Sequence, residues 1–113
     1  MHELSLAENI LDIVERAASD QHFTQVKTLH LSVPVLAGVE VPALRFALDS
    51  LSPHTVLDGA EIQIEEPASK GYCPECQTEI EVRIHDSPCP VCSGRQWQLK
   101  ADREMRVVDL LVS

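Results

Sequence analysis

The chain has 113 residues, a hydrophobic fraction of 44% and only 4% aromatic residues, so any core must be built from Leu, Val, Ile and Ala. With 9 basic against 18 acidic residues the formal charge is −9, which argues against a nucleic-acid partner, because binding a phosphate backbone relies on Lys and Arg displacing its counterions. No stretch has the roughly 18 apolar residues of a membrane span, and the opening Met-His-Glu-Leu-Ser lacks the positive region of a secretory signal, so a cytoplasmic protein without membrane contact is expected.

Ser5 followed by Glu8 reads as a capping box, and Leu6, Ile10, Val14 and Ala17, with Leu11 and Ala18, recur at helical spacing. This predicts a helix from about Leu6 to Ser19, leaving Met1 to Leu4 as a short extended segment lying on a sheet. From Val26 to Val33 a strand is expected, with Lys27, Leu29, Leu31 and Val33 on one face and Thr28, His30 and Ser32 on the other. Pro34 and Gly38 break it. Pro42 then opens a second helix through Leu44, Ala47, Leu48 and Leu51, which Ser52-Pro53 ends.

Ala60 to Glu65 alternates as a strand with one wet face, and Glu66 to Gly71 reads as a linker. Glu79 to Ile84 alternates as a short strand. Beyond the last cysteine, Gln96 to Ala101 and Met105 to Val112 read as strands, the latter with Val108, Leu110 and Val112 on one side. Its position suggests that it returns to close the first sheet, making the cysteine region an insertion. The fold class expected is α+β: a small sheet with two helices over residues 1–68 plus 102–113, and an inserted zinc-ribbon-like domain over 69–101.

Cys73-Pro74-Glu75-Cys76 and Cys89-Pro90-Val91-Cys92 are two knuckles separated by twelve residues. Each tight turn presents two sulfurs to one side, so Cys73, Cys76, Cys89 and Cys92 can close a tetrahedral shell around one Zn(II). No position is then left for water or substrate, which makes the zinc structural and argues against a zinc hydrolase. The competing reading, two thioredoxin-like redox pairs, lacks the strand-to-helix junction that would expose a nucleophile.

At the other end, the α-amine of Met1, the following amide nitrogen and the imidazole of His2 can form chelate rings on one metal. Such a nitrogen set favours the square plane of Ni(II) or Cu(II), and Glu3 offers its amide nitrogen or its carboxylate as a further donor. His22, His30 and His54 have no companion at ligand spacing and read as structural or solvent-facing; His85 reads as a solvated loop residue.

Met1-His2-Glu3-Leu4-Ser5-Leu6, the turn Gly38-Val39-Glu40-Val41-Pro42 into Leu44-Arg45-Phe46-Ala47, Gly59-Ala60-Glu61-Ile62 and the paired knuckles stand in the order of one family. Over essentially its full length the chain resembles the HypA/HybF hydrogenase maturation factors. The resemblance implies no catalysis. It implies a nickel metallochaperone that works with the GTPase HypB and delivers Ni(II) to the [NiFe]-hydrogenase large-subunit precursor. It puts the nickel ligands on Met1 and His2 with Glu3 beside them, an acidic residue near the site at Glu40, and the zinc ligands on the four cysteines. The chain departs from some members in carrying Gln77 and Ser93, not His, directly after each knuckle. A zinc-ribbon adaptor without nickel transfer is the alternative, and either a monomer or a homodimer is compatible with the sequence.

Overall fold

The computed structural model describes residues 2–84, 86–99 and 105–112. Two three-stranded sheets, each with its own buried cluster, lie along a body of 51 × 27 × 18 Å. The radius of gyration of 17.0 Å exceeds the roughly 13 Å of a single ball of this length, so the two sheets sit apart along the long axis.

Helix α1 spans His2–Gln21 and buries Ala7, Ile10 and Val14. The helix thus starts four residues earlier than the capping-box pattern suggested, and Ser5 lies inside it. His2 to Leu4 are helical, not an extended segment on the sheet, and the carboxylate of Glu3 fixes this first turn by accepting a hydrogen bond from the Glu40 amide at 3.1 Å. The helix ends at His22, whose φ of 58° is left-handed, with the Phe23 amide reaching back to the Ala18 carbonyl at 3.2 Å.

Strand β1 (Val26–Ser32) is central in the first sheet, parallel to β2 (Glu61–Glu65) and antiparallel to β6 (Arg106–Val112). The crossover between β1 and β2 is helix α2 (Val41–Leu51), which packs on α1 through a core that includes Leu44, Ala47 and Leu48. Pro42 stands in its first turn; Ser52, bonded to the Leu48 carbonyl through both its amide and its hydroxyl, closes it before Pro53.

The face predicted for β1 needs one correction. A register shift between Val26 and Thr28 leaves Lys27 exposed and puts Val26 with Leu29, Leu31 and Val33 in the core. A second shift, opposite His30 and Leu31, makes Val107 and Leu110 the residues of β6 that pack inward, while Val112 is exposed. The expected return of the last strand to the first sheet is what β6 does.

The second sheet has β3 (Ser69–Cys73) between β4 (Thr78–Val82) and β5 (Gln98–Leu99). Gly71 is needed at its centre, because a Cβ there would stand 2.9 Å from the Gln98 carbonyl. The expected linker from Glu66 to Gly71 is shorter than the sequence suggested, since β3 starts at Ser69. It is also strapped down: the Val35 amide bonds the Pro67 carbonyl and the Leu36 amide bonds the buried Ser69 hydroxyl, both at 2.9 Å.

Candidate metal centres

The four cysteine sulfurs all lie within 4.8 Å of one another. Cys73 and Cys92 are 3.6 Å apart and Cys76 and Cys89 are 3.9 Å apart. A tetrahedral zinc with bonds of about 2.3 Å needs its sulfurs roughly 3.8 Å apart, so the cage has the size of that ion. Two turns build it. After each knuckle one residue turns left-handed, Gln77 at φ 54° and Ser93 at φ 63°, folding the chain back past its own sulfurs. The second turn is closed by the Cys89 amide on the Gly94 carbonyl at 2.7 Å and by the Ser93 amide on the Cys89 carbonyl at 2.8 Å.

The thiols are electrostatically unequal. The Cys92 amide, aided by that of Val91 at 3.4 Å, holds the Cys89 thiol down to about 7. The Cys92 thiol is pushed up to about 12: the Gly94 amide pulls the other way but is outweighed by desolvation together with the three neighbouring thiols. Four thiols crowded like this cannot all ionise alone, and a divalent cation removes the conflict by taking them together. Cys73 and Cys89 are buried with Ile80 and Val82, and Leu36, Cys76, Trp97 and Leu99 pack against them, a small core among the described residues. Such a cluster suits a structural zinc.

Of the residues singled out at the amino terminus, Met1 lies outside the described residues, as does His85. His2 opens α1 and lines a cavity of about 280 Å³ with Leu6, Ala37, Val39 and Met105. Glu3 is bonded to the amide of Glu40, the residue that precedes α2 and whose own side chain makes no capping bond. That amide is the main reason the Glu3 carboxyl lies below the ordinary carboxylate range. The first turn of α1, where His2 and Glu3 stand, is thus tied to the backbone that leads into α2.

The structure adds one constellation that the sequence reading missed. His30 stands between two strands with Nε2 3.7 Å from Glu65 and Nδ1 3.7 Å from Asp109, so a protonated imidazole would link β2, β1 and β6. Only the strand register reveals these partners. His22 and His54 both lie in left-handed turns, and among the described residues the four cysteines are the only group set to hold a metal.

Helices on one small sheet, joined to a second sheet built around a four-sulfur cage, define an elongated metal-binding protein of the α+β class. The family model described as hydrogenase/urease nickel incorporation, metallochaperone, HypA matches residues 1–112, and the chain belongs to that family. Hydrogenase maturation factor HypA of Cupriavidus necator is 45% identical over 112 residues, covering 99% of this chain and 94% of the relative. Its counterpart in Polaromonas naphthalenivorans is 43% identical over 113 residues, covering 100% and 98%. The fold matches the solution structure of the Ni metallochaperone HypA from Helicobacter pylori with a TM-score of 0.71 at 15% identity, covering 97% of this chain and 96% of that one.

Proposed function

We propose that the chain binds Ni(II) through the Met1 amine and His2, with Glu3 and Glu40 beside them, and hands it to the large-subunit precursor of a [NiFe]-hydrogenase. The hydrogen bond from the Glu40 amide to the carboxylate of Glu3, the residue next to His2 in the first turn of α1, carries this reading. A nitrogen-rich set on an exposed helix start suits a tetragonal ion that must leave again, whereas the sulfur cage has no open position from which a metal could be exchanged by adding a ligand. Delivery then proceeds by ligand exchange to cysteines of the recipient, in the cytoplasm, with the GTPase HypB as helper and no catalysis by this chain.

The Glu3 carboxylate, already engaged by the Glu40 amide, holds the two helix starts together; the Glu40 carboxylate is the one left to approach the metal. Residues 1–68 and 102–113 form the nickel part and 69–101 the zinc part in this reading. Calorimetric titration of Ni(II) into wild type and His2→Ala tests it: the variant should lose at least about tenfold in affinity, and equal affinities would remove the chelate. A short tag ahead of Met1 should abolish loading as well, because it displaces the α-amine from His2.

A further inference from the structure

Phe46 belongs to the segment Leu44-Arg45-Phe46-Ala47 and takes no part in the core: it is 73% exposed on α2. Around it lies an apolar depression of about 260 Å³ between the two helices, lined by Ala43, Ala47 and Ser50 with Phe46 and Leu4, the last 38% exposed. Small residues set among large ones make a slot for an apolar side chain, not a smooth surface.

Among the described residues the rim has one sign. Glu8 lies one turn beyond Leu4 on α1 and Asp49 one turn beyond Phe46 on α2, both exposed, with Glu3 at the end of the slot. No Lys or Arg occurs between residues 2 and 15. The one cation of α2, Arg45, is turned to the sheet, where it donates to the Ile62 carbonyl at 2.7 Å. The slot is thus apolar within and acidic around.

We propose that this slot docks an amphipathic basic helix of a partner protein, one apolar anchor entering between Leu4 and Phe46 while Lys or Arg side chains face Glu8 and Asp49. Helix-in-groove recognition works in this way, with aromatic anchors supplying affinity and rim charges supplying orientation and association rate. Because Glu3 lines both the slot and the contact with Glu40, a docked helix would lie beside the proposed nickel donors. The proposal rests on the delivery reading only for its purpose, since docking itself requires no metal.

The test uses a fluorescent synthetic helix with Leu at positions i, i+3, i+4 and i+7 and Lys elsewhere, and a twin with Glu in place of Lys, titrated with the full zinc-loaded chain by anisotropy. The Lys helix should bind wild type, more weakly as salt is raised. Phe46→Ser should weaken it at least about tenfold. The double variant Glu8→Lys, Asp49→Lys should turn the preference towards the Glu helix, and Phe46→Ser should leave Ni(II) titration unchanged. Lys-helix affinity unaffected by all of these substitutions would overturn the proposal. So would a wild-type dimer, seen by sedimentation, that Phe46→Ser dissolves, because a second copy would then fill the slot. Helix binding that persists in a chain unable to load nickel would leave docking intact and remove only the nickel reading.

Discussion

The carboxylate of Glu3 and the backbone amide of Glu40, 37 residues apart in the chain, are joined by a 3.1 Å hydrogen bond. It connects the first turn of α1 to the residue preceding α2, whose own side chain makes no capping bond. A carboxylate that the sequence offers as a metal donor is thereby engaged in holding the starts of the two helices together.

The bond sets a pH dependence whose sign can be worked out. The Glu3 carboxyl is depressed in the folded state, first by the Glu40 amide, so its ionised form stabilises the fold above the ordinary carboxylate range. That contribution is lost as pH falls through the lowered folded-state value. Glu3→Gln should therefore melt below wild type at neutral pH, and the gap should close in strong acid. Melting temperatures of both proteins across an acid series check this; a gap that is constant with pH would show that the carboxylate's charge has no part in the contact.

Two glycines should respond to different degrees to the same added methyl group. At Gly71 the Cβ would face the Gln98 backbone carbonyl at 2.9 Å, and a central strand cannot move without unpairing β5. Gly71→Ala should cost about 1–3 kcal/mol in zinc-loaded protein. At Gly94 the Cβ would land on the carboxylate of Glu75, the free end of a flexible side chain, which can swing away. The same Cβ would stand 3.3 Å from the Cys92 sulfur, so Gly94→Ala should cost less than Gly71→Ala in stability while weakening zinc retention. Urea unfolding of the two variants separates the cases.

Much of this was legible in the residues because it depends on local pattern. Ile10, Val14, Leu44 and Leu48 announce their helices by spacing, and each knuckle carries its metal chemistry within four residues. What escaped depends on long-range pairing. The bulge at Lys27 shifts the alternation of β1 by one residue, and that shift is set by β6, some eighty residues on. His30 looked solitary because Glu65 and Asp109 become its neighbours only once three strands are in register. The start of α1 was misplaced since Ser5 and Glu8 form a plausible cap, while the contact that favours an earlier start comes from Glu40.

Arg45 bears on the edge of the first sheet. Its guanidinium donates to the Ile62 carbonyl on β2, an edge strand, at 2.7 Å. Removing a charged donor from a partly buried carbonyl costs about 1.5–3 kcal/mol. Arg45→Ala should fall in that range, and it should also increase concentration-dependent association, since the edge loses the group that covers it. Light scattering alongside urea unfolding distinguishes loss of stability alone from loss of edge protection.

Zinc removal should divide the molecule. Among the described residues the first sheet and its helices have a core of twelve buried residues, including Ile10, Leu29, Leu31, Leu44 and Leu48, whereas the second sheet has Cys73, Cys89, Ile80 and Val82. Four residues, two of them ligands, cannot offset the ordering of this sheet, so its folding energy must come from the metal, where structural sites supply about 10–16 kcal/mol. Chelation should abolish amide-exchange protection in Ser69–Cys73 and Thr78–Val82 while β1 and α2 keep theirs. Strand β6 should stay protected too, because its pairing with β1 does not pass through the cage. Affinity for zinc should fall as pH falls, since protons compete for every sulfur. Above about 7 the Cys89 thiol has no proton to displace while Cys92 retains its own up to about 12, so the fall should steepen below neutrality. Competition with a chromophoric chelator over a pH series measures the slope, and an unchanging affinity would contradict coordination by four thiolates.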